Sequence, residues 1–101
     1  MMVVKATIPL NPDAREEALE LMSEVSAKSR EEDGIVDYRI SVDVDDPNLV
    51  RVFEHYENED VFASHMQKEH TQELVGQLPE FVGGEVEAIR FDVESVSELE
   101  M

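Results

Sequence analysis

The sequence predicts an α+β domain in the order strand, helix, strand, strand, helix, strand, with one antiparallel sheet and both helices on one of its faces. Three observations support this. Apolar residues recur at helical spacing after Asn11-Pro12, apolar and polar residues alternate from Val36 to Val44, and a second helical stripe from Val61 precedes a last β-branched run.

Val3-Val4-Lys5-Ala6-Thr7-Ile8 is short, β-branched and closed by Pro9, which suits a first strand. Asn11 then offers an N-cap, and Pro12 a first helical residue whose φ is already set. Ala14, Ala18, Leu21, Met22 and Val25 recur between charged residues, so an amphipathic helix is expected to about Glu32. Asp33-Gly34 stops it, because glycine takes the left-handed conformation without steric cost. Val36, Tyr38, Ile40, Val42 and Val44 then alternate with Asp37, Arg39, Ser41 and Asp43, one face buried and one charged. Asp45-Asp46-Pro47-Asn48 is a turn by composition, and Leu49 to Glu57 returns as the partner strand of a hairpin.

Asn58 can cap the second helix, with Glu59 and Asp60 at the positive end of its dipole and Val61, Phe62, His65 and Met66 along one face. Thr71 is expected to restart or bend it, and Leu74, Val75 and Leu78 extend the apolar stripe to Pro79, Phe81 and the Gly83-Gly84 break. Glu85 to Glu94 is the last strand. Its apolar positions shift phase from Val86 and Ala88 to Ile89, Phe91 and Val93, which predicts a β-bulge or a strand covered on both sides. This is the ferredoxin-like βαββαβ arrangement, filling one domain over residues 1–95, with 96–101 a frayed tail or an exchanged arm. A single layer of helices leaves the other sheet face bare, yet Phe53 and the last strand supply apolar side chains there. Packing two such sheets face to face would bury them, which predicts a homodimer.

At 101 residues, 42% of them hydrophobic, the chain can build one core and is too short for two. It has no cysteine, which excludes disulfides, thiolate metal centres and a cysteine nucleophile. Eight Lys+Arg stand against 25 Asp+Glu, a formal net charge of −17, so nucleic acid and anionic membrane surfaces are not expected partners. The acid is spread along the whole chain, 12 residues in positions 1–50 and 13 in 51–101, which reads as a halophile's surface and not as a detachable tail. No apolar run approaches the roughly 18–20 residues that span a bilayer, and Met1 to Leu10 lacks the basic-then-apolar order of a signal peptide. A cytoplasmic protein is expected.

With no Ser-His-Asp pattern, glycine-rich phosphate loop or carboxylate-rich metal loop, the chemical equipment reduces to three histidines, two tyrosines and Glu54. His65 shares a helix face with Phe62 and Met66 and should point toward the sheet, either as a proton acceptor or as a hydrogen-bonded core histidine. His70 lies five residues on, about 140° further round an ideal helix, so the two do not chelate as an i, i+4 pair would and no metal is expected. A bend at Thr71 could still bring both rings to one pocket. His55 alternates with Glu54 and Tyr56 and should face the other side of the sheet. Glu54, Tyr56 and Tyr38 share a face across the hairpin, a polar minority in an apolar slot suited to a small, flat, partly polar ligand, or else a sheet-edge hydrogen-bond network.

Three segments carry a family resemblance: Glu31-Glu32-Asp33-Gly34-Ile35-Val36-Asp37-Tyr38, Phe53-Glu54-His55-Tyr56, and Val61-Phe62-Ala63-Ser64-His65-Met66-Gln67-Lys68-Glu69-His70. Together they resemble the antibiotic-biosynthesis monooxygenase (ABM) family, which includes quinol monooxygenases. The resemblance covers almost the whole chain and implies a dimeric α/β barrel. It makes Gly34 the helix-stop glycine, Tyr38 and Glu54 the family's sheet positions, and His65 and His70 its paired histidines. Tyr56 departs from the family, which usually has tryptophan there. The Asn, Trp and His set of haem-degrading relatives is missing, so haem degradation is not expected.

The resemblance further implies oxygenation without metal, flavin or haem, in which a quinol-like or phenolic aromatic loses a proton and its anion passes an electron to dioxygen. On that basis His65 is the expected base, with His70 and Glu54 orienting and Tyr38, Tyr56, Phe62 and Met66 lining the pocket. Two other functions fit the same scaffold: cofactor-free isomerisation of a small hydroxy-ketone, and a non-catalytic ligand-binding or stress-response dimer.

Overall fold

In the computed structural model, which describes residues 1–101, the elements follow the expected order with one extra break. They are β1 (Met2–Pro9), a 3-10 turn at Pro12–Ala14, α1 (Arg15–Arg30), β2 (Ile35–Val42), β3 (Leu49–Tyr56), α2 (Glu59–Met66), α3 (Glu69–Phe81) and β4 (Glu87–Asp92). Asn11 caps the first turn through its side chain, which accepts from the Asp13 amide at 3.0 Å. The sheet is antiparallel throughout, in the order β2-β3-β1-β4, so the β2–β3 hairpin is present and the two ends of the chain's sheet are β2 and β4.

Side chains alternate across the sheet, and one face meets the helices. Ala6 and Ile8 of β1 and Val50 and Val52 of β3 pack against Ala18, Met22 and Val25 of α1, while Leu74 and Phe81 of α3 close the core. The other face bears Phe53, Ile89 and Phe91, each 37–45% exposed in the single chain. No helix is long and apolar enough to cross a membrane.

Five local expectations need correction. The alternation in β2 starts one residue late because the register with β3 shifts between Ile35 and Asp37, so Val36 is the extra residue of a bulge and is exposed. Val44 lies beyond the strand in the turn and is 99% exposed. β4 has no bulge: its register with β1 is continuous, and the phase shift arises because Val86 precedes the strand while Ile89 and Phe91 occupy the helix-free face. The second helix breaks at Gln67-Lys68 rather than at Thr71, which makes Thr71, Leu74, Leu78 and Phe81 the inward stripe of α3 and leaves Val75 at the edge of the apolar space below it, 53% exposed. Pro79 does not end that helix. The missing amide removes one backbone bond, but burial of Phe81 and the bond from the Asn11 amide to its carbonyl at 2.8 Å hold the last turn.

Candidate functional site

Three local devices position the site. Ser26 Oγ and Arg30 Nη1 donate to the Tyr38 carbonyl at 3.2 and 3.0 Å, tying α1 to β2. Asn58 Oδ1 accepts from the Val61 amide at 2.9 Å and starts α2. At Gly34, with φ +89°, a Cβ would stand 2.5 Å from Val61 Cγ2, so α2 rests directly on the turn that follows α1.

Between the sheet and the helices lies a cavity of about 210 Å³ with mostly apolar walls: Val4, Ala6 and Val52 from the sheet, Phe62 and Met66 from α2, Leu74 from α3. That volume is below the range of roughly 300–1,000 Å³ that holds drug-sized ligands, so any occupant is small. The polar groups on its walls are Glu54, Thr71 and Tyr38. Tyr56, fully buried, donates its hydroxyl to Glu54 Oε1. Burial pushes Glu54 above the usual carboxylate range, and the Tyr56 hydrogen bond pulls it partly back. Burial, then the nearby Glu54 carboxylate, holds both phenols well above their ordinary value, so each stays protonated.

The histidines gather beside this cavity and not on its wall. Glu32, in the turn after α1, accepts from His65 Nδ1 at 2.9 Å and from His70 Nε2 at 2.8 Å, both on Oε2. The helix break at Gln67-Lys68 is what brings two residues five apart onto one carboxylate, with ring centroids 6.2 Å apart. His65 is 2% exposed and lies between Tyr38 and Tyr56, at centroid distances of 5.4 and 5.5 Å. Thr71 Oγ1 stands 3.4 Å from the His65 Nδ1 and 3.5 Å from its Nε2, in contact with the ring edge. The ring therefore reaches the cavity only through Tyr38 and Thr71. His70 opens to the opposite side, into a shallow polar depression with Lys28, Glu31, Asp33 and Lys68.

Of the residues singled out from the sequence, Glu54, Tyr38, Phe62 and Met66 line the cavity. Tyr56, His65 and His70 are set back from it. His55 faces the other side of the sheet, 3.3 Å from Met1 Sδ. Glu32 and Thr71 join the site without having been expected there. A signal for Glu32 does exist: Ala18, Met22, Val25 and Ser29 form the buried stripe of α1, and the next step of three residues is Glu32.

One antiparallel sheet, helices on a single face and a small cavity between the two layers define a ferredoxin-like α+β protein. The chain belongs to the antibiotic biosynthesis monooxygenase (ABM) family, which it matches over residues 1–77. Its fold is similar to that of a crystal structure described as an antibiotic biosynthesis monooxygenase, with 24% identity, TM-score 0.86, and coverage of 94% of this chain and 100% of that one. Rv0793 from Mycobacterium tuberculosis is similar at 22% identity and TM-score 0.88, covering 96% and 98%. A protein of unknown function from Bacteroides thetaiotaomicron, described as a possible oxidoreductase, is similar at 24% identity and TM-score 0.82, covering 89% and 94%. No curated protein matches the sequence.

Proposed function

We propose that the chain is a cofactor-independent monooxygenase acting on a small quinol-like or phenolic aromatic. The observation that carries this proposal is the small apolar cavity with one buried carboxylate, Glu54, and one protonated phenol, Tyr38, on its wall. A carboxylate disfavoured as an anion is a better base than an exposed one, and it stands where an aromatic hydroxyl would enter. The proton acceptor is therefore Glu54, and the role expected of His65 changes. Held by Glu32, it positions Tyr38 and Thr71 from behind. With 1-naphthol the step balances without an added reductant. The phenolate gives an electron to dioxygen, oxygen joins the ring carbon para to the hydroxyl, the O–H and that ring C–H supply two hydrogens, and a quinone and one water leave.

The expected result in an oxygen electrode is saturable uptake with 1-naphthol or a naphthoquinol, one dioxygen per substrate, with no flavin, metal or haem added. No uptake above buffer across that panel would overturn the proposal. Anaerobic turnover of a hydroxy-ketone would point to isomerisation instead, and ligand binding without turnover to a non-catalytic dimer.

The assembly and setting of the chain are part of the same proposal: a cytoplasmic homodimer closed through the helix-free sheet face and adapted to high salt. Support comes from Phe53, Ile89 and Phe91 on that face and from the net charge of −17. In molar potassium chloride the chain is expected to sediment as twice 11.5 kDa, and to lose circular dichroism as salt is withdrawn and the acidic surfaces repel. An 11.5 kDa species alone in high salt, or a fold indifferent to salt, counts against the respective half.

A further inference from the structure

We infer that Glu32, His65 and His70 form a binding site for a divalent transition-metal ion, with zinc as the probe. One ligand atom from each residue lies within 4.8 Å of the others. Two imidazoles and a carboxylate are the donor set that borderline ions such as zinc prefer, and it leaves open positions for water.

A second observation points the same way. The Glu32 side chain is only 8% exposed, and while Oε2 serves both histidines, Oε1 is buried with no hydrogen-bond partner. A buried carboxylate with one oxygen lacking a donor is costly to hold as an anion, and a cation held at its other oxygen offsets that charge. The approach is open on the His70 side, where Glu31 and Asp33 stand at the mouth of the polar depression with Lys28 and Lys68. The field of a chain carrying −17 concentrates cations at such a mouth.

The fit requires a small adjustment. A tetrahedral ion with bonds of about 2.0–2.2 Å keeps its donors roughly 3.4 Å apart. Here the carboxylate oxygen is 2.9 and 2.8 Å from the two nitrogens, which lie within 4.8 Å of each other, so the ion replaces the two N–H protons, moves the oxygen outward by about half an ångström and holds the nitrogens at that same tetrahedral spacing. Because the ligands come from the end of α1, from α2 and from α3, a bound ion would pin the helix break at Gln67-Lys68. The inference does not rest on the oxygenase proposal, since its test reads metal binding and not turnover and Glu54 supplies no ligand; His65, which backs Tyr38 and Thr71, is common to both.

The test is calorimetric titration of chelator-stripped protein with zinc chloride alone, in molar potassium chloride so that loose association with surface carboxylates is screened. One equivalent per chain is expected, with a raised thermal midpoint. Cobalt in place of zinc should give the visible absorption of a low-coordinate site. His70→Asn and Glu32→Gln should each weaken binding at least tenfold, and His55→Asn, on the other sheet face, should not. Absence of a stoichiometric site, or equal binding by the His70→Asn protein, overturns the inference. His70 is 14% exposed, so that variant remains decisive if Glu32→Gln fails to fold.

Discussion

Glu54→Gln is expected to lower oxygen uptake with 1-naphthol by about a hundredfold or more, the lower end of what a positioned general base contributes. The same substitution should make the protein more stable at neutral pH. Glu54 is buried, and desolvation raises its folded-state pKa above the ordinary 4.5, with the Tyr56 hydrogen bond opposing the shift less strongly. The fold thus favours the protonated acid. Its stabilisation is complete below the unfolded value and is lost as pH rises through the raised folded value. Glutamine resembles the protonated acid at every pH and escapes that loss. Urea midpoints of wild type and variant should therefore converge in acid and separate in favour of the variant as pH climbs, while wild-type turnover rises over the same window. Uptake that survives the substitution would remove Glu54 as the base. Midpoints that stay parallel across pH would deny the burial on which the argument rests.

Patterning along the sequence places the slot more securely than it places the individual polar groups around it. Period-two patterning assigns Glu54, Tyr56 and Tyr38 to one face, because strand side chains alternate whatever packs above them. Helical patterning likewise turned Phe62, His65 and Met66 inward. Distance from a cavity is not a periodic property, however. Tyr56 shares a face with Glu54, yet it is spent on a hydrogen bond to it and is set back from the cavity. His65 shares a face with Phe62, yet it is packed between two phenol rings. Angular arithmetic along one ideal helix sets His65 and His70 about 140° apart; the bend that brings them together falls not at Thr71 but at Gln67-Lys68, where neither glycine nor proline marks the break. Glu32 was legible in principle as a charged residue at a stripe position, but it was hidden in an acidic run that looks like any solvated helix end.

Gly34→Ala is expected to destabilise the fold by about 2–5 kcal/mol, from two separable causes. An L side chain at this left-handed φ costs about 1–2 kcal/mol, and forcing a methyl into a filled contact costs about 1–3 kcal/mol more. Both apply at Gly34, with φ +89° and a Cβ position 2.5 Å from Val61 Cγ2. For a domain of this size, each kcal/mol lowers the thermal midpoint by roughly 4–8 °C. The causes separate in the double variant Gly34→Ala with Val61→Ala. Shortening Val61 relieves the clash and leaves the backbone strain, so the pair should be more stable than the sum of the single effects by about 1–3 kcal/mol. Strict additivity would mean that the glycine is needed only to stop α1. Coupling would mean that it also sets how closely α2 lies on the turn, and with it where Phe62 and Met66 stand on the cavity wall.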